Sequence, residues 1–281
     1  MKLSKKSKKI LYRVCFIVCL ITFIVCAGML IFYYWDSYQS EKKVDDLKNL
    51  IVEESYEVDI ATTEDDGDSD NNTPDVLAVP DFVEIDGVMV QTKFHKLYQR
   101  NTDFIGWITI EGTDIDYPVM QSMYDEEFYL HMDFDKKYTK GGTLFIDTSS
   151  DVEKPSDNIV IYGHNMTTGK MFHSLFEYED EEFYKEHKYF TFNTIYGDGT
   201  YEVIAAFRTR IYTPDYTGFK YYQFFDAANK AEFDSYVENC QDLTPYLVDS
   251  TAVYGDSLLT LSTCAYHTDN GRYVVVAKKI D

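Results

Sequence analysis

The sequence predicts a mainly β domain, a closed eight-stranded barrel with added helices, carried behind one apolar segment. Three observations lead there. Eight short strand-like runs follow one another at close spacing between residues 106 and 280, the pattern of a closed antiparallel-rich barrel. Two stretches inside that series place their apolar residues at helical spacing instead. Ahead of everything, Val14 to Tyr34 reads VCFIVCLITFIVCAGMLIFYY, 21 residues without a charge. At about 1.5 Å rise per residue, such a run spans the hydrocarbon core of a bilayer.

The first element is therefore a membrane anchor. Lys2, Lys5, Lys6, Lys8, Lys9 and Arg13 precede it, while Asp36 and Glu41 follow it. Positive residues stay on the cytoplasmic side, so the N-terminus is expected inside and the remainder outside, with Tyr33, Tyr34 and Trp35 at the outer interface. The run is long for a cleaved signal peptide and no small-x-small site follows it. Cys26 is preceded by Val25, where lipidation needs a small residue. The expected organisation is a basic cytoplasmic N-terminus (1–13), a transmembrane anchor (14–35), an acidic extracellular tether (36–89) and a folded domain (90–281). The tether begins with a short helical segment and passes through EDDGDSD, Glu64 to Asp70, without hydrophobic periodicity.

The folded domain opens on VQTKFHKLYQRN, an amphipathic helix with Phe94, Leu97 and Tyr98 on one side. The eight strand runs follow: GWITI, DIDYPVM, GTLFID, NIVIYGH, YFTFNTI, TYEVIAAFRTR, SLLTLSTC and RYVVVAKKI. Tyr201, Val203, Ala205 and Phe207 alternate and predict one buried face. LLTLSTC and YVVVA are apolar throughout and predict strands covered on both sides. The helical interruptions are Lys170 to His187 and Asp226 to Cys240.

Charge excludes one class of partner. The chain carries a formal charge of −22, and setting aside the six basic residues before the anchor leaves the remainder near −28. Such a body repels phosphate backbones, so nucleic acid is not expected. No ligand spacing suggests a metal, and no glycine-rich phosphate loop or other cofactor motif is present.

Cysteine usage points to chemistry. Cys15, Cys19 and Cys26 fall in the anchor, leaving Cys240 and Cys264 outside. Cys240 shares helical spacing with Phe233, Tyr236 and Val237 and is expected to be packed. Cys264 ends one strand and Arg272 begins the next, joined by a loop with the turn signal Asp269-Asn270-Gly271. A thiol at a barrel rim is placed to attack a carbonyl, and a guanidinium beside it donates hydrogen bonds to the resulting oxyanion. A base is also required. His164 ends NIVIYGH after Gly163, at a second strand terminus, whereas His267 lies three residues after Cys264 and competes for the role. His95, His131, His173 and His187 read as structural.

The residues then match a family. Thr260-Leu261-Ser262-Thr263-Cys264 followed by Arg272-Tyr273-Val274-Val275-Val276-Ala277-Lys278 resembles the sortase signature in its class B form. Asn101-x-Asp103-x-x-Gly106-Trp107-Ile108, Ile115-Asp116-Tyr117-Pro118-Val119-x-Gln121 and Tyr162-Gly163-His164-Asn165 match in the same order, covering roughly Val90 to Ile280. The resemblance implies a sortase-type barrel with class B helices at its N-terminus and before the penultimate strand. It implies a cell-wall transpeptidase and thiol protease of Gram-positive bacteria that anchors surface proteins. Cys264 would attack the Thr of a C-terminal sorting motif, Asn-Pro-x-Thr-like or Pro-x-Thr-Gly-like, in a secreted protein. A lipid-linked peptidoglycan precursor amine would then take the thioester, with His164 moving protons and Arg272 holding the oxyanion. Asn101 and Ile105 match positions that line the class B substrate groove, and Thr217 with Tyr221 match the loop that contacts the sorting peptide; Ser262 and Tyr162, each two residues before a candidate catalytic residue on a strand, are expected to face the same side as it and to join them. Some class B members carry an acidic residue after the cysteine; here it is Ala265.

Two other readings fit less well. A peptidoglycan-cleaving cysteine enzyme would use a different motif around its thiol, and a binding module that kept the barrel without catalysis would have lost one of the three residues.

Overall fold

The computed structural model of the chain describes residues 5–63 and 80–281. One compact unit ends at Lys43, and the second runs from Val44 to Asp281. Helix α1 spans Lys5–Thr63. Within it lies an apolar stretch long enough to cross a membrane, and its side chains, Phe16, Phe23 and Phe32 among them, are exposed. An apolar surface of this kind is stable in lipid and costly in water.

The helix continues through the region expected to begin a tether. Leu47 is buried beside Phe94, Leu97 and Trp107. Lys48 pairs with Asp116, whose Oδ1 also accepts from Trp107 Nε1 at 2.6 Å. A hairpin follows, β1 (Phe82–Ile85) with β2 (Val88–Gln91), turned by Asp86 and Gly87, both at positive φ. Asp-Gly is the dipeptide that such a two-residue turn selects. The second unit thus takes in residues ahead of 90. The acidic run Glu64 to Asp70 lies outside the described residues.

The helix expected from Val90 to Asn101 is shorter than its pattern. Val90 belongs to β2, a 3-10 turn covers Thr92–Phe94, and α2 spans His95–Arg100. Phe94, Leu97 and Tyr98 are buried as the spacing requires.

Each of the eight strand runs forms a strand: β3 (Phe104–Thr109), β4 (Asp116–Met120), β5 (Leu144–Ile146), β6 (Asn158–Gly163), β7 (Tyr189–Thr194), β8 (Thr200–Arg210), β9 (Leu258–Cys264) and β10 (Gly271–Lys279). They close in the order β10-β8-β7-β3-β4-β5-β6-β9. Pairing is antiparallel except for β4 with β5 and β6 with β9. All eight strands send apolar side chains into one cluster, the barrel interior, including Ile108, Val119, Leu144, Ile161, Leu261 and Val275. Closure leaves no unpaired edge between strands.

The alternation read in β8 is broken. Val276 pairs with Ala205 but Ala277 with Val203, so Ile204 is an extra residue in the ladder. A bulge moves every later side chain to the other face. Tyr201 and Val203 therefore point into the barrel, while Ala205 and Phe207 point outward under a helix. That helix is α4 (Lys230–Asp242), capped by the Asn229 side chain, which accepts from Glu232 N. It buries Phe233, Tyr236, Val237 and Cys240 against the outside of β8 and β10. The other helical stretch splits into a 3-10 segment, Phe172–Glu179, and α3, Glu181–Glu186. The break falls at Asp180, whose side chain caps α3 by accepting from Glu182 N at 2.8 Å.

Candidate active site

The site begins in the β9–β10 hairpin. Its register pairs Cys264 directly with Arg272, and opposed residues of an antiparallel pair share a face. The connecting loop closes tightly, with Asn270 at φ 54° and Gly271 N donating to Thr268 O at 3.1 Å. A Cβ on Gly271 would stand 2.1 Å from the Ala265 carbonyl oxygen, so only glycine lets the chain return here. Cys264 and Arg272 are both half-buried, and the thiol is unbridged, as is that of buried Cys240. Arg272 Nη1 donates to the Gly271 carbonyl at 2.9 Å, which holds the guanidinium plane while leaving further N–H groups.

On the other side of β9, β6 runs parallel with it from Asn158↔Leu258 to Gly163↔Thr263. His164 follows the end of β6 directly, and Cys264, next after Thr263, is the last residue of β9. Thr263 Oγ1 donates to Gly163 O at 2.7 Å and ties the two strand ends. Gly163 is required by packing, since a Cβ there would lie 2.4 Å from Leu144 Cδ2 and 2.7 Å from Phe172 Cδ2. Three neighbouring strands therefore end at one rim, each bearing one of the three candidate residues.

The imidazole of His164 is held by a segment that sequence reasoning left out. Nε2 lies 2.9 Å from the Leu130 carbonyl oxygen. A carbonyl only accepts, so Nε2 carries a hydrogen, and in the neutral ring Nδ1 holds the lone pair. His131, read as structural, stacks on His164 with centroids 5.5 Å apart and an interplanar angle of 27°. Burial pushes the His164 pKa down, the Leu130 carbonyl pulls it up, and His131 lowers it again. The partner of His164 is thus a backbone carbonyl; Ala265, in the place of an acidic residue, is buried. The competitor His267 sits on the exposed loop, where Arg208 and Arg210 reinforce the lowering of its pKa by burial. Only the contact between distant loops brings Leu130 and His131 to the site, so no local sequence pattern announced them.

The expected peptide-contacting residues divide into two groups. Tyr221 and Ser262 lie together: their hydroxyls are 2.7 Å apart. Burial raises the Tyr221 phenol to about 12, while the Ser262 hydrogen bond and Arg272 act to lower it. Tyr162 pairs with Ser262 in register and donates to Asp147 Oδ2 at 3.0 Å. The remaining three stand apart in their contacts. Asn101 is buried, donating to Tyr129 Oη and Phe134 O and accepting from Asp103 N. Ile105 packs in the barrel interior. Thr217 is exposed on the loop after β8.

Residues 108–280 match the Sortase domain family. Sortase B of Staphylococcus aureus is 31% identical over 193 residues, 68% of this chain and 76% of that protein. Among solved structures, sortase B from B. anthracis in complex with AAEK1 superposes with a TM-score of 0.67 at 27% identity, covering 88% of this chain and 99% of that one. A Staphylococcus aureus sortase B–substrate complex gives 0.62 at 30% identity over 68% and 86% of the two chains. The chain belongs to the sortase family, in its class B branch, and is a cysteine transpeptidase.

Proposed function

We propose that Cys264 is the nucleophile, His164 the proton carrier and Arg272 the oxyanion donor of a reaction that cuts a C-terminal sorting motif after Thr. The observation that carries this is the rim itself: Cys264 and Arg272 opposite each other in register, with His164 following the last rung of β6 on β9. The Cys264 thiolate adds to the Thr carbonyl, and Arg272 stabilises the negative oxygen. The C–N bond breaks as imidazolium His164 protonates the departing amine, leaving a thioester. An incoming amine of a peptidoglycan precursor then adds to the thioester, gives a proton to His164 and expels the thiolate. Water in place of the amine gives hydrolysis. Tyr162, half-buried beside the rim, is the contact best placed for the sorting peptide; Tyr221, Ser262 and Asn101 are buried and act through the packing around them. The apolar part of α1 holds the enzyme in the membrane with its N-terminus cytoplasmic, so that the barrel meets secreted proteins outside.

The experiment is cleavage of quenched peptides, Asn-Pro-Gln-Thr-Asn against Leu-Pro-x-Thr-Gly and Ser-Pro-x-Thr-Gly, by the full chain in detergent. Cleavage after Thr, with transfer to an added amine, supports the assignment and names the motif. Cleavage of none of them, with the protein folded and Cys264 alkylatable, would sink it.

The native pKa of His164 lies below the ordinary value near 6.5, so the unfolded chain takes up that proton first. Neutral His164 therefore contributes stability above that value, and the contribution is lost as pH falls through the native pKa. His131→Ala removes one lowering influence. The His164 titration, followed by NMR, is expected to move up toward the ordinary value together with the imidazole limb of the pH–rate profile. An unmoved midpoint would show that the stacked ring does not tune His164.

A further inference from the structure

Asn165 follows His164 and makes two side-chain hydrogen bonds. Its Nδ2 donates to the carbonyl oxygen of Cys264 at 3.1 Å, and its Oδ1 lies 2.7 Å from His173 Nδ1. An amide oxygen only accepts, so His173 Nδ1 is the donor, and that bond selects the amide orientation that points Nδ2 at Cys264. The β6–β9 ladder ends one residue earlier, at Gly163↔Thr263. The Asn165 amide thus takes the place of the next rung. On the opposite side, Ala265 N donates to Gly271 O at 2.9 Å, so the peptide unit after Cys264 is held from both neighbouring strands. The loop bearing Asn165 is itself closed: Asn165 bridges Met171, Phe172 N donates to His164 O at 2.9 Å, and Met171 N donates to Tyr117 Oη at 3.2 Å.

We propose that Asn165 is a positioning residue that sets the distance between Cys264 and His164, and that His173 keeps its amide in the productive orientation. This rests on the assignment of Cys264 and His164 as the reacting pair. The amide joins the backbone of one to the residue adjoining the other, and small displacements of reacting groups cost large factors in rate. His173 is exposed; its ring also lies near Phe176, with centroids 6.4 Å apart, and it acts on the reacting pair through Asn165.

The test measures kcat, KM and thermal midpoint of the full chain in detergent for Asn165→Ala, Asn165→Asp and His173→Ala, with Cys264→Ala and His164→Ala alongside. Aspartate keeps the shape of asparagine and removes the donor. Both Asn165 variants are expected to lose about 10- to 100-fold in kcat with KM changed less than about threefold. His173→Ala, which frees the amide to flip, is expected to lose roughly 3- to 10-fold in kcat at an unchanged thermal midpoint. Asn165 variants that keep kcat within about twofold overturn the proposal. Should they fail to fold, an undiminished kcat in His173→Ala overturns it instead. Activity surviving in Cys264→Ala or His164→Ala would instead overturn the reacting pair itself, an outcome separable from the first because those two variants are then active.

Discussion

Replacing Cys264 by alanine is expected to reduce peptide cleavage and amine transfer by roughly 10⁴-fold or more, because the covalent path through the thioester disappears and neither His164 nor Arg272 supplies a nucleophile. Fold and substrate binding should survive. Cys264 is half-buried at the end of β9, and losing one sulfur there leaves no enclosed cavity. The informative contrast is Cys240→Ala. That thiol is fully buried under α4, and burial pushes its pKa up, so it is inert at neutral pH. Cys240→Ala is expected to cost about 1–2 kcal/mol of stability through lost packing and to leave kcat within about twofold. The measurement is peptide turnover with trapping of the acyl-enzyme by mass spectrometry. A thioester found on Cys240, or turnover persisting in Cys264→Ala, would show the nucleophile to be elsewhere.

Arg272→Lys should be nearly as damaging, with a loss of about 10²- to 10³-fold in kcat and KM within about threefold. Charge is conserved in this substitution, so the effect isolates geometry. The guanidinium spends Nη1 on the Gly271 carbonyl at 2.9 Å, and that bond orients its plane while its other N–H groups remain as donors. A lysine ammonium is a single point on a flexible stem; it cannot hold that carbonyl and also present a planar fork to the oxyanion. An effect on KM alone, with kcat intact, would make Arg272 a residue that binds the peptide in the ground state.

Much of this was legible in the chain. Strand runs are short-range patterns, and each of the eight appears where its alternation or continuous apolarity put it. The helix carrying Phe233, Tyr236, Val237 and Cys240 likewise follows from spacing alone. The β1–β2 hairpin carries a turn signal in Asp86-Gly87, but its flanking runs are only 4 residues long and too short for an alternation to stand out. The alternation in β8 misled beyond Val203, since a bulge is specified by the partner strand and not by the strand's own pattern.

The sequence by itself determined the apolar segment of α1, the barrel class, the class B resemblance and the candidates Cys264, Arg272 and His164, since each depends on residues adjacent or periodic along the chain. Tertiary structure alone decided the rest. It set Leu130 and His131 against His164, left His267 exposed on the β9–β10 loop, paired Tyr221 with Ser262, placed Asn101 in an internal network and gave Asn165 a bond to Cys264. The physical reason is one of range. Periodicity and turn chemistry act over a few residues, whereas the hydrogen bonds and ring contacts that orient the imidazole and the thiol join segments 33 to 99 residues apart, brought together only when the barrel closes.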